Sequence, residues 1–167
     1  MQTFYVNGAA WQASKLLGKG KGGYSYLTER DGVPFVLKKI HHEPCDYYTF
    51  GNKIQAELND YNRLSVLSIR MPRLIECDES AEIIIKDYID GDTAETLVRQ
   101  NRLEESHLAQ LRQMCAVLYA AGLNIDYYPT NFIVQDGLLY YIDYECNAYA
   151  DEWNFENWGA QYWNVKD

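Results

Sequence analysis

The sequence predicts an α+β fold, as one domain or two small lobes, with antiparallel strands and one helix in the first half of the chain and a mainly helical stretch with a hairpin after it. Two kinds of observation predict it. Asn7-Gly8, Asp31-Gly32 and Asp136-Gly137 each stand between short apolar or alternating runs, and such pairs favour the tight turns that join antiparallel strands. Apolar residues recur at steps of three and four over Phe50–Leu67 and from Glu104 to the stop at Gly122, which is the period of an amphipathic helix.

Taken in order, Thr3–Val6 and Trp11–Leu17 read as a first pair of strands around Asn7-Gly8. A glycine-rich turn leads to the strand Tyr24–Glu29, and Asp31-Gly32 leads on to Pro34–Ile40. The helix over 50–67 comes next and ends at Met71-Pro72. Arg73–Cys77 and Ala81–Ile89 read as strands, the second buried because it is almost wholly apolar. Asp92-Thr93-Ala94-Glu95 has the spacing of a helix start with Asp92 as cap, and a short helix runs from it to about Gln100. The long helix from Glu104 follows, then a loop, a hairpin around Asp136-Gly137, and an aromatic tail (Tyr149, Trp153, Phe155, Trp158, Tyr162 and Trp163) expected to close the core beneath the loop.

Composition narrows the function. A formal charge of -9 disfavours nucleic acid and anionic membrane surfaces as partners, since both require a cationic face. Lys15, Lys19, Lys21, Lys38 and Lys39 still allow a local basic patch. No apolar run is long enough for a membrane span and no leader pattern opens the chain, so a cytoplasmic location is expected. The four cysteines show no paired spacing and read as reduced, partly buried thiols.

The chemistry concentrates in two places. Gly18, Gly20 and Gly23 fit G-x-G-x-x-G but lie between strands, where a hairpin backbone can cover phosphates; a plain surface hairpin is the alternative. Lys38 alternates with Val36 and Ile40, so it either faces inward and requires an anionic partner or sits on the solvent face. Glu57, on the apolar stripe of the 50–67 helix, is its natural mate. The second place is Asn124–Glu145, where Asp126-x-x-x-x-Asn131 precedes the hairpin and Asp143 and Glu145 follow it. Oxygen donors of this kind suit Mg²⁺ and leave one carboxylate to orient a hydroxyl.

In this order and spacing the residues resemble the protein-kinase-like superfamily, nearest to its small atypical members: aminoglycoside-phosphotransferase-like, RIO- and Bud-type, and lipopolysaccharide-kinase-like proteins. The resemblance covers Leu16 to Glu145 and implies a bilobal fold, with a sheet-and-helix N-lobe over 1–90 and a minimal C-lobe over 91–167. It implies that Gly18, Gly20 and Gly23 cover the phosphates of ATP, and that Lys38, held by Glu57, binds the α- and β-phosphates. Asp87 and Tyr88, in the hinge, offer backbone groups to adenine. Asp126 orients the attacking hydroxyl and accepts its proton. Asn131 and Asp143 hold Mg²⁺, with Glu145 as a further ligand. The implied activity is transfer of the γ-phosphoryl of ATP to a hydroxyl of a small molecule or, as in serine/threonine kinases, of a protein.

Four departures bear on that reading. Asn124 stands where such kinases carry His, Ile125 where Arg is common, and Asp143-Tyr144-Glu145 where Asp-Phe-Gly is usual. Only Cys146–Asp167 follows, without Ala-Pro-Glu, so the acceptor is expected to be small or a partner protein to supply substrate surface. A nucleotide-binding pseudokinase or partner-dependent interaction module is the alternative, and an unrelated α+β protein is the third.

Overall fold

In the computed structural model, residues 1–20, 22–43 and 52–164 are described; Lys21, Cys45 and the expected start of the 50–67 helix lie outside them. The fold is α+β. Its chain divides into two compact units, residues 1–58 with 72–88, and residues 59–71 with 89–167.

The first unit is a six-stranded antiparallel sheet. Its strands are β1 (Gln2–Val6), β2 (Ala9–Lys19), β3 (Gly23–Arg30), β4 (Val33–Ile40), β5 (Leu74–Asp78) and β6 (Ile83–Asp87), in the order β1-β2-β3-β4-β6-β5. The Asn7-Gly8 and Asp31-Gly32 turns form as expected, all four residues taking positive φ. Curling of the sheet brings Val6 and Trp11 against Leu37, Ile83 and Ile85 in one buried cluster. Trp11 meets Phe35 edge to face at 5.8 Å, and the Arg30 guanidinium lies 3.6 Å from its ring centre. The Asn7-Gly8 turn is clasped to β5 through Asp78, whose carboxylate accepts from the Asn7 amide at 2.7 Å and the Ala81 amide at 3.0 Å. These amides hold the Asp78 carboxyl below its ordinary range.

Helix α1 spans Lys53–Ser65, with Ile54 and Leu64 buried. Its first residues count with the first unit and those from Asn59 with the second. The second unit also contains α2 (Ala94–Arg99) and α3 (Glu105–Ala120). It is less purely helical than the sequence predicts. The strand β7 (Asp92–Thr93) joins β9 (Phe132–Gln135) and β10 (Leu138–Tyr141) in one small sheet, while β8 (Leu123–Ile125) pairs with β11 (Cys146–Ala148). Two- and three-residue strands carry no alternation, so nothing in the sequence distinguishes β7, β8 or β11 from loop.

The cap of α2 also differs from expectation. Thr93, not Asp92, accepts from the Thr96 amide at 3.1 Å, because Asp92 is drawn into β7 and pairs with Arg102. The buried strand is shorter than the 81–89 expected, since Glu82 turns at positive φ just before it.

The second unit has its own core around Leu111, Leu118, Phe132, Leu139, Phe155 and Trp163. Of the tail aromatics, Phe155 and Trp163 close this core as expected, whereas Tyr149, Trp153 and Tyr162 remain exposed. Cys115 and Cys146 are buried free thiols, and burial pushes both up to about 11. At that value roughly one thiol in a thousand is ionised at pH 8, so both should be sluggish nucleophiles. We expect a thiol-specific disulfide reagent to modify these two cysteines at least about tenfold more slowly in native protein than in urea. Equal rates in the two conditions would contradict their burial. Among the described residues, no helix is long and apolar enough to cross a membrane.

Candidate functional site

Two constellations of polar side chains form, one in each unit. In the first, Lys38 on β4 shares a sheet face with Val36 and Ile40, and its cross-strand partner is Ile84. Its side chain is 13% exposed and that of Glu57 11%, which places the lysine inside rather than on the solvent face. The Lys38 ammonium donates to Glu57 Oε1. Glu57 Oε2 is buried with no hydrogen-bond partner among the described residues.

The glycine-rich turn lies over this lysine. A Cβ built on Gly22 would come within 3.7 Å of Lys38 Nζ, whereas one on Gly18 or Gly20 would meet nothing within 4 Å. Gly23 differs in kind. Its Cβ would lie 2.5 Å from the Lys39 carbonyl, so pairing of β3 with β4 itself demands glycine there. The spaced-glycine pattern therefore picked out one residue with a packing role and passed over Gly22, the glycine beside the ammonium.

The turn is tied down from the segment after β4. His41 Nε2 donates to the Gly20 carbonyl at 2.8 Å, and the Gly20 amide donates to the Gly23 carbonyl at 2.9 Å. Glu43 accepts from the Tyr24 hydroxyl at 2.6 Å and from Lys19 at 3.3 Å. The Tyr24 hydroxyl and then Lys19 hold the Glu43 carboxyl below its ordinary range, while Tyr24 and Glu43 raise the Lys19 ammonium. None of these ties was legible beforehand, because they depend on how the turn and the segment after β4 meet in space.

At the far end of β6, Asp87 binds Arg73 through both carboxylate oxygens, at 2.9 and 3.3 Å, and its amide donates to the Arg73 carbonyl. Of the two expected hinge residues, Asp87 thus has its amide engaged within the protein. Tyr88 follows it, half-buried.

The second constellation is built by pairing across the hairpin. Strand β8 ends at Ile125 opposite Cys146, the first residue of β11, so Asp126 and Glu145 leave the ladder side by side. Asp126 Oδ1 accepts from the Tyr128 amide at 3.1 Å, which bends the chain into a turn. Asn131 donates through Nδ2 to the Asp126 carbonyl at 3.3 Å, leaving its amide oxygen as a ligand atom. The Asn131 carbonyl accepts from the Ile142 amide at 2.9 Å, which sets Asn131 beside the approach to Asp143. Asp143 Oδ1 accepts from the Tyr144 amide at 2.8 Å, and the buried Tyr144 ring packs 4.5 Å from Tyr61.

Two further groups fix this loop. Asn124 is buried; its amide donates to the Ala150 carbonyl at 3.0 Å and its oxygen accepts from the Tyr127 hydroxyl at 3.3 Å. Trp163 Nε1 donates to the Tyr127 carbonyl at 2.7 Å, and Gly159 lies so close that a Cβ would sit 2.7 Å from Tyr127 Cβ. The loop therefore rests on the aromatic tail.

Among the described residues, no three His, Cys, Asp or Glu side chains gather as a metal cage. Mg²⁺ does not require one, since it commonly binds through one or two protein oxygens, substrate phosphates and water. The Asn131 amide oxygen and the Asp143 carboxylate fit that requirement in donor chemistry, and the Lys38 ammonium and the open space at Gly18 and Gly20 fit a polyphosphate. No family model matches the chain, and no curated protein matches it.

Proposed function

We propose that this chain is a Mg·ATP-dependent phosphotransferase of protein-kinase-like fold, moving the γ-phosphoryl of ATP to a hydroxyl of a small molecule or protein. The observation that carries this reading is the buried Lys38–Glu57 pair beneath the glycine-rich turn. A buried ion pair is a poor device for stability, because well-packed apolar residues of similar volume generally do as well or better. A cation kept indoors beside a glycine hairpin has an evident use in binding phosphate.

In this reading Lys38 binds phosphate oxygens and Glu57 fixes its position. Asn131 and Asp143 hold the metal, with Glu145 next to them. Bound Mg²⁺ supplies neutralisation of the phosphate charge. Asp126 orients the acceptor hydroxyl and takes its proton as the new O–P bond forms. Phosphoryl transfer requires positioning and charge compensation more than covalent participation by the protein, and these residue types provide both.

The test is calorimetric titration of ATP with and without Mg²⁺ on wild type and on Asp143→Asn. We expect tight binding only with Mg²⁺, and about a tenfold or greater rise in the Mg²⁺ required by Asp143→Asn, as loss of a ligand or its immediate support typically produces. An unaltered metal titration would remove Asp143 from the site. Metal-independent binding would instead support a nucleotide-sensing module without transfer. Asn124 favours that second reading, because its amide is engaged in holding Ala150 and Tyr127.

A further inference from the structure

We infer that the Tyr141 hydroxyl is a positioning group for phosphoryl transfer, a bridge that fixes the spacing between the Asp126 loop and the Asp143–Glu145 turn; this rests on the phosphotransferase reading. Tyr141 ends β10 and is fully buried, with its ring 5.2 Å from that of its strand partner Phe132 and its amide bonded to the Arg70 carbonyl at 2.9 Å. It thus has little freedom to move. Its hydroxyl donates to the Glu145 carbonyl at 2.8 Å and accepts from the Asp126 amide at 3.4 Å.

Those two backbone groups come from the residues immediately beyond the last pair of the β8–β11 ladder, Ile125 opposite Cys146. In a continuing ladder, main chain would meet main chain there. Instead the phenol oxygen stands between an amide of one strand and a carbonyl of the other. It serves as a rung of greater width, so the two chains part where Asp126 and the Asp143–Glu145 turn must receive a nucleotide and an acceptor. A phenol hydroxyl carries one donor and can accept as well, so a single oxygen satisfies both backbone groups.

Removing the oxygen leaves two outcomes, both damaging to geometry. The chains close to a direct bond, or the Asp126 amide and Glu145 carbonyl are left without their partner. Because displacements near 1 Å can cost about a hundredfold in rate, Tyr141→Phe is expected to lower kcat by about 10- to 100-fold with the KM for ATP within about threefold of wild type. Tyr140→Phe, which removes a hydroxyl from the neighbouring position on the same strand, should leave both parameters unchanged.

The experiment follows release of ADP and transfer of labelled phosphate from Mg·ATP, with water or the protein itself as acceptor, below the melting temperature of each variant. Amide hydrogen exchange of wild type, independent of any variant's folding, reads the bridge directly and should show the Asp126 amide protected. A loss of kcat confined to Tyr141→Phe, with that protection present, supports the proposal. Unchanged kcat in Tyr141→Phe, or an Asp126 amide exchanging at the rate of free peptide, overturns it while leaving the phosphotransferase reading intact. Absence of Mg·ATP binding and turnover in wild type overturns both.

Discussion

Asp126→Asn is expected to lower phosphoryl transfer by about 10²–10⁴-fold, the usual contribution of a general base, while Mg·ATP affinity stays within about threefold of wild type. Asparagine preserves the shape of the side chain and still offers an oxygen to the Tyr128 amide, so the turn after Asp126 should survive. What disappears is the negative charge to which the proposed function assigns the acceptor hydroxyl and its proton. Initial rates and nucleotide titration on the same preparation separate the two effects. Turnover at the wild-type rate would show that Asp126 is not the base, and a collapse of nucleotide binding would mean that the substitution had disturbed the loop.

Lys38→Ala is expected to weaken Mg·ATP binding by about 10- to 100-fold, the range for losing a charge-assisted contact of about 1.5–3 kcal/mol. The buried pair adds a complication of stability. Without the ammonium, the Glu57 carboxylate remains largely buried and one of its oxygens already lacks a partner. Breaking a buried pair on one side typically costs about 3–5 kcal/mol, so the single variant should melt at a clearly lower temperature. In the double variant Lys38→Ala, Glu57→Gln the orphaned charge is gone. It should recover much of that stability and none of the nucleotide affinity. If the single variant binds ATP as wild type does, Lys38 serves the fold alone and the cradle assignment is lost.

Much of this architecture could be read in the sequence where the signal is local. The Asn-Gly and Asp-Gly pairs announce turns because their residues tolerate positive φ, and all six do take it. Lys38 and Glu57 stood out as polar residues at apolar positions of a strand and a helix, and the structure brings those two together. Asp126, Asn131, Asp143 and Glu145 were marked by their oxygen chemistry, although the ladder that sets Asp126 beside Glu145 was not foreseen. Three residues of β11, with the sequence Cys-Asn-Ala, present neither alternation nor β-branching. The tie of Tyr141 was equally hidden, since a Phe132–Tyr141 hairpin looks the same whether its tyrosine hydroxyls are bonded or free. Gly22 escaped for another reason: its value lies in the Lys38 ammonium beside it in space, not in the spacing of its neighbours.

The hydrogen bond from Trp163 to the Tyr127 carbonyl has a consequence for the order in which the molecule is completed. During synthesis from the N-terminus, every strand of the six-stranded sheet has been made once residue 88 has emerged. The loop bearing Asp126 and Asn131 comes later, and its underside has no floor until Phe155, Gly159 and Trp163 have followed. A nascent chain therefore acquires the strand and helix that carry Lys38 and Glu57 well before the loop bearing Asp126 and Asn131 is supported. In the proposed reading, the group that takes the proton is thus the last part of the site to be set in place, once Trp163 has left the ribosome.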